Sequence, residues 1–457
     1  MADPVPTGPA AVTTVATGSA HGAEAPDGGA AAGGWDRSGR IATAVIGAAW
    51  VVMGLLALAR PVFISHDSLS NNVHVWWIAE QLWSGNGVPL RIAPLANGEA
   101  LTFPYASVPW LTSATVWPLL GDRAVTLWLV LGMAATVAAT FWTFPTLRRG
   151  WWAAATLANP SLVISPLLGQ LPFLWAAACC LLAMGSWHRR RTGAAVLFAV
   201  LAQVIHPAVV MPIVAVVVLV WLPFERPDRR ASLVGWWILS AVVSLPAAWA
   251  VFQSPVVAQT SLVTQVAALF QTVAMRLLVV LVPMVLVGLQ LQRRRPLPAW
   301  SPAALTGVFL LLQVPMYVPF GMDFAWGSLT RDPPAAIDRF AASDGVRDGD
   351  TYRVLSAFDG KYGLYAVARA GGVLDAEFFP EGLHRGGFSS EGQYAAFLRR
   401  RLVDHVVAFD DYTDRYTRSN EPDLLRRMAE EGCVGGVRIT RVPGGDGWSL
   451  YDVERGC

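Results

Sequence analysis

From Ile41 to Met322 the chain is a succession of apolar stretches interrupted by only six carboxylates: Asp67, Glu80, Glu99, Asp122, Glu225 and Asp228. A run of about 20 apolar residues is what an α-helix needs to cross the hydrocarbon core of a bilayer. With a mean hydropathy of +0.44 and 14% charged residues, most of the chain is expected in lipid as an integral membrane protein. The fold class expected is mainly α: a polytopic transmembrane helical bundle followed by a small α/β domain.

Cutting the apolar sequence at polar or proline-bearing breaks gives nine spans, near 41–63, 124–147, 151–167, 171–187, 193–206, 208–224, 231–252, 276–292 and 303–322. Several are short, so paired helices joined by bends at Ser165-Pro166, Gly169-Gln170 and His206-Pro207 are expected. Residues 1–36 are rich in Ala, Gly, Pro and Thr, lack an apolar period, and are expected to form a disordered cytoplasmic tail. The first apolar run lies too far in and is too long for a signal peptide, so it is read as a retained span. The membrane domain is thus 37–322.

Arginine sets the orientation. This division places 13 arginines on the side of Arg37 and Arg40 and leaves Arg60, Arg91, Arg123 and Arg276 on the other, as the excess of basic residues in cytoplasmic loops requires. The run Ser107–Leu120 is apolar enough to cross, but a crossing there would turn the later arginine clusters outward; it is read as a helix on or in the outer leaflet. The odd number of spans then puts residues 323–457 outside the cytoplasm, in a plasma-membrane, multi-pass protein. Lys361 is the sole lysine, which with the wealth of Ala and Val points to a GC-rich bacterial source.

Residues 323–457 hold 22 Asp and Glu against 17 Lys and Arg, whereas residues 1–322 hold 10 against 17. An acidic soluble end of this kind is a poor partner for nucleic acid. Helices are expected near 334–342, 390–401 and 422–431, and strands at 351–358, 404–411, 436–442 and 448–453. This domain has no Walker loop, no GxGxxG turn and no triad spacing. Cys179 and Cys180 lie in an apolar run and are read as small core residues. Cys433 and Cys457 are the only thiols expected outside the membrane, and the last strands can return the tail beside the helix ending at Glu431, giving a disulfide; two free thiols are the alternative.

The candidate chemistry lies in residues 64–123, which hold four of the six carboxylates. Ionisable groups near a bilayer are costly and mark function. Residues 72–84 place His74, Trp77, Ile78 and Gln81 on one helical stripe, with Trp76, Glu80 and Trp83 beside it, a composition suited to the membrane interface. That role leaves Asp67, just past the first span, unexplained.

Asp67 after the first span, a juxtamembrane helix ending in LWSGNGVPL, and the patch FPYASVPWL opening an apolar helix that ends in LLGD together resemble the GT-C class of polyprenyl-phosphate-sugar-dependent glycosyltransferases. The likeness covers roughly residues 41–210. It implies an acid at Asp67 that helps bind and activate the acceptor or a metal, and spans that hold a lipid-linked sugar donor among membrane lipids. Such proteins often carry a second acid in the next outer loop, where SPLLGQLPF offers Gln170 instead. The cofactor is therefore left open between none and a divalent metal, with Glu99 as an alternative second carboxylate. Arg91, Arg123 and Arg276 are the cations able to hold phosphate oxygens, and His74 and His206 are further substrate-binding candidates. A non-catalytic scaffold for envelope assembly is the competing reading, and a transporter or flippase the third; the latter calls for polar, broken helices at mid-membrane, of which the spans show little beyond Gln203.

Overall fold

The computed structural model describes residues 29–457 except 61, 65–66, 99, 145–149, 254–279, 290–297, 299, 318–331, 356–360, 376–387, 411–419 and 444. Ten helices open the chain: α1 (Gly29–Leu58), α2 (Ser68–Trp83), α3 (Ser107–Leu120), α4 (Arg123–Thr143), α5 (Gly150–Leu157), α6 (Pro160–Leu167), α7 (Leu171–His188), α8 (Thr192–Ile205), α9 (Pro207–Trp221) and α10 (Pro227–Phe252). Two more apolar helices follow, α11 (Val280–Leu289) and α12 (Ser301–Tyr317). Among the described residues, five helices are long and apolar enough to cross a membrane: 37–58, 123–143, 171–188, 207–224 and 227–251.

Three boundaries differ from the sequence reading. Helix α1 begins at Gly29, inside the stretch read as tail; of residues 1–36, positions 1–28 lie outside the described residues. The span expected over 151–167 is two eight-residue helices, broken at Asn159-Pro160. The Asn159 side chain accepts the Ser161 N–H there, capping α6 with proline at its first turn. Pro166, expected to make a bend, lies inside α6. The turns at Gly169-Gln170 and His206 occur where expected.

The helices run alternately between two ends. Thr43 Oγ1 donates to the Gly150 carbonyl at 2.8 Å, setting the start of α5 beside the middle of α1. A Cβ on Gly39 would stand 2.5 Å from the Trp151 nitrogen, so this crossing needs glycine. Arginines gather at the same end: the Arg189 guanidinium lies 3.8 Å from the Trp142 ring centroid, and Arg229 lies 4.3 Å from that of Trp187. These stacks use the cation–π attraction to hold two of the charges that the sequence assigned to one side.

The opposite end carries the described residues of the stretch 59–122 and of the last domain. That domain contains helices α13 (Ala335–Ala341), α14 (Lys361–Arg369), α15 (Glu391–Arg400) and α16 (Glu421–Glu431) around a six-stranded sheet of order β2-β1-β3-β6-β5-β4. The strands are β1 (Thr351–Leu355), β2 (Val373–Leu374), β3 (His405–Phe409), β4 (Cys433–Val434), β5 (Val437–Val442) and β6 (Trp448–Arg455). β1 pairs parallel with β2 and β3, and the β3-β6-β5-β4 half is antiparallel. The short β2 and β4 and helix α14 were not expected from the sequence. Cys433 and Cys457 are bonded, with Cα atoms 6.0 Å apart, fastening the chain end to β4.

Strand alternation sends neighbouring side chains to opposite faces, and both faces are buried. Val406, Tyr451 and Val453 point into a core with α15 and α16, built on Tyr394, Phe397, Leu425 and Met428. Val407, Leu450 and Tyr352 point into a second core that is shared: it contains Phe340, Tyr362 and Tyr365, and also Val62, Ile64, Leu69, Val73, Ile92 and Leu95 from the first loop. Helix α2, which its tryptophans had suggested for the membrane interface, is instead sandwiched. Leu69 and Val73 face the sheet domain, while Val75, Ile78 and Ala79 face the bundle. The junction is fixed by Leu374 N–H donating to the Pro94 carbonyl at 2.8 Å, by Arg369 bonding Asp122 at 2.8 Å, and by the Tyr365 hydroxyl donating to the same carboxylate.

Candidate functional site

Four turns converge where the bundle meets the sheet domain. Asp67 is the residue before α2, and its backbone N–H donates to the Leu168 carbonyl at 2.7 Å, joining the start of α2 to the α6–α7 turn. Ala106, before α3, takes a left-handed φ of 60° and donates its N–H to the Ile205 carbonyl at 2.9 Å, joining α3 to the α8–α9 turn. A narrow cleft opens between them. Asp67, Ser70, Asn71 and Gln170 form its polar wall, and Tyr105, Trp110, Phe173 and His206 its aromatic wall.

The side chains are tied together. Tyr105 Oη and His206 Nε2 are 3.1 Å apart, and Phe173 meets the His206 ring edge-on at 6.3 Å. Gln170 Oε1 accepts from Ser165 Oγ at 3.1 Å. Trp110 Nε1 donates to Asn71 Oδ1 at 2.8 Å. Among the described residues no group of three His, Cys, Asp or Glu side chains could hold a metal ion.

Of the sequence candidates, Asp67, Gln170 and His206 meet in this cleft. The others do not. Arg91 is exposed, its carbonyl accepting from Trp77 Nε1 at 3.1 Å, and Arg123 is exposed at the first turn of α4. Glu99 and Arg276 lie outside the described residues. His74 is fully buried behind the cleft, stacked on Trp110 with centroids 4.2 Å apart, and its Nδ1–H donates to the Ser70 carbonyl at 2.6 Å. Burial lowers its pKa to about 4, against the small opposing effect of the Ser70 bond.

That depression has a measurable consequence. The unfolded His74 takes a proton below about pH 6.5 while the folded one stays neutral, so stability is full above that pH and falls as pH drops toward 4. About 2.5 pH units at 1.36 kcal/mol each give on the order of 3 kcal/mol. His74→Gln is expected to flatten the acid limb of a melting-temperature profile over this window; an unchanged limb would exclude His74 as its source.

Tyr105, Trp110, Asn71 and Phe173 were not singled out from the sequence. Tyr105 and Trp110 lie in the patch FPYASVPWL and Phe173 in SPLLGQLPF, but which of these side chains meets Asp67 depends on contacts between segments distant in the chain. Next to His206 a second cavity begins. Pro207, Met211 and Pro212 of α9 and Val242, Leu245 and Trp249 of α10 line an apolar groove of about 630 Å³.

Fold and site together define a helical membrane protein with a polar cleft at one end and an α/β domain packed on helix α2. No family model matches the sequence, and no curated protein matches it. Among solved structures, the chain is similar to the arabinofuranosyltransferase AftD from mycobacteria, with a TM-score of 0.52 and 15% identity over 90% of this chain. The match covers 40% of that protein, so the chain spans well under half its length. At that identity the likeness is one of fold: a membrane fold of the kind found in a glycosyltransferase.

Proposed function

We propose that the cleft is the active site of a membrane glycosyltransferase that moves a sugar from a polyprenyl-phosphate donor to a cell-envelope acceptor. The observation that carries this reading is the junction at His206-Pro207, where the polar cleft ends and the apolar groove begins. A lipid-linked sugar has the same division: an apolar chain, a phosphate and a polar ring. In this arrangement the chain lies between α9 and α10, the phosphate beside His206 and the first turn of α9, and the sugar against Asp67 and Gln170. A helix N-terminus favours an anion through its unpaired N–H groups.

Asp67 accepts the proton of the acceptor hydroxyl as that oxygen attacks the anomeric carbon. The bond from this carbon to the phosphate oxygen breaks, and the electron pair leaves with the polyprenyl phosphate, whose charge His206 and the α9 terminus stabilise. Gln170, an amide where the resemblance calls for a second acid, orients the sugar by hydrogen bonding. The same substitution favours the alternative of a non-catalytic scaffold.

Membranes carrying the protein are expected to transfer label from a radiolabelled polyprenyl-phosphate sugar into envelope material. Ala208→Trp, which fills the groove, is expected to raise the KM for a long-chain donor about tenfold or more, the effect of losing a few buried methylenes, and to leave a short-chain donor unaffected. No transfer with any donor would support the scaffold; equal loss with both donors would remove the groove from the reading.

The cleft end faces away from the cytoplasm in this proposal, with the amino terminus inside. The arginine distribution and the Cys433–Cys457 bond, which favours an oxidising compartment, support it. Alkaline phosphatase fused after Cys457 is expected to be active, and after Arg295 inactive. The reverse pattern would invert the topology.

A further inference from the structure

Asp67 and Gln170 must face one reacting centre in the proposed reaction, yet they belong to separate segments whose turns only meet in space. Asn71 joins them. Its Nδ2 donates to the Asp67 carbonyl at 2.8 Å and to the Gly169 carbonyl at 3.0 Å, while its Oδ1 accepts from Trp110 Nε1 at 2.8 Å. The side chain thus ties the start of α2, the α6–α7 turn and α3 at one point. At 3% exposure, Asn71 has little access to water that could take over these bonds. Only an amide of this length supplies two donors and an acceptor from one short side chain. Aspartate lacks the donors, and glutamine is a methylene longer. Trp110 is itself held by the buried His74 stacked against it.

We propose that Asn71 is the positioning residue of the cleft, setting Asp67 against the Gly169-Gln170 turn; this rests on the catalytic reading above. His74 and Trp110 brace the amide from behind. His74 therefore serves the site without reaching it.

Geometry and chemistry are tested separately. Asn71→Asp keeps the volume and the acceptor for Trp110 but sets a carboxylate oxygen against two carbonyls. For geometry, Asp67→Cys and Leu168→Cys are combined, since a backbone hydrogen bond joins these residues. The native cysteines do not compete: Cys433 and Cys457 are bonded, and Cys179 and Cys180 lie along α7. Under mild oxidation the pair is expected to cross-link about tenfold more slowly with Asn71→Asp than with Asn71, the effect of a lost buried hydrogen bond. Equal rates would overturn the proposal. Asn71→Leu, close in volume and without either donor, gives a second background with the same two outcomes should Asn71→Asp not accumulate.

For chemistry, with Asp67 in place, Asn71→Asp is expected to lower kcat about 10²-fold, as a displacement on the order of 1 Å does, with the KM for donor nearly unchanged. It is also expected to move the acid limb of the kcat/KM profile to higher pH, because a second carboxylate disfavours charge on Asp67. His206 and Tyr105, the other titratable groups of the cleft, are the same in both proteins. Wild-type kcat and an unmoved acid limb would overturn the role. Full turnover by Asp67→Asn would instead overturn the catalytic reading, and the cross-link would still decide whether Asn71 aligns the turns.

Discussion

Asp67→Asn is expected to accumulate in the membrane at wild-type abundance and to lose turnover by about 10² to 10⁴, the range that a general base contributes. The replacement keeps size and polarity while removing the charge. The backbone N–H of residue 67 still donates to Leu168, and the carbonyl still accepts from Asn71, because neither bond uses the side chain. Folding should therefore change by less than about 1 kcal/mol, as for a carboxylate near water. Glu80, exposed near the far end of α2, is the internal control, and Glu80→Gln should retain most activity. Equal turnover of Asp67→Asn and wild type, at equal abundance, would move the protein to the scaffold reading.

The second large effect lies in the sheet domain, at Arg353. Its guanidinium bonds Glu421 through Nε at 3.0 Å and Nη2 at 2.8 Å, reaches Asp375 at 3.3 Å, and lies 5.1 Å from the centroid of Phe397. Asp375 and Glu421 are 1% and 2% exposed. Burial opposes the charge on Arg353, but the two carboxylates beside it more than offset this and hold its pKa well above the ordinary arginine value. For Asp375 burial dominates and raises the pKa, with Arg353 pulling it down and Glu421 adding to the rise.

Arg353→Met keeps the length of the stem and removes the guanidinium that the two acids share. The expected loss is about 3–5 kcal/mol, the usual result of removing one partner from a buried ionic cluster. It should appear as early protease cleavage of the C-terminal domain on heating. The loss should shrink as pH is lowered toward the carboxylate range, because protonation removes the stranded charge. Cleavage at the wild-type temperature would show that the cluster is held by its packing alone.

How far the sequence could anticipate these features depends on the range of the interactions. The apolar runs and the arginine clusters are local, so most helices of the bundle fall close to where hydropathy placed them. The helices at 391–400 and 421–431 and the strands around Val407 and Leu450 follow from short-range periodicity. Asp67 stood out because carboxylates are rare in its surroundings. The burial of α2 was not legible: a helix with three tryptophans has the composition of an interfacial helix, and only the distant Phe340, Tyr362 and Tyr365 show that its other face is covered. The break at Asn159-Pro160 was missed because Ser165-Pro166 is an equally good proline signal, and only the cap formed by Asn159 distinguishes them. Arg91 and Arg123 were chosen for charge alone, and charge without a known neighbour does not bring a side chain to a cleft.

The core shared between the first loop and the sheet domain bears on how this protein is made. Leu69, Val73, Ile92 and Leu95 leave the ribosome long before Phe340, Tyr352 and Val407, the residues that later cover them. At roughly 5–20 residues per second the interval is on the order of tens of seconds, far longer than collapse of so short a segment takes. Through that interval the face of α2 that bears Leu69 and Val73 sits uncovered, while the partners of Asp67 at Leu168 and Asn71 are already made. A chain halted before residue 335 is expected to keep the residues that line the cleft but to expose this apolar face, so the last domain shields a surface that would otherwise invite aggregation.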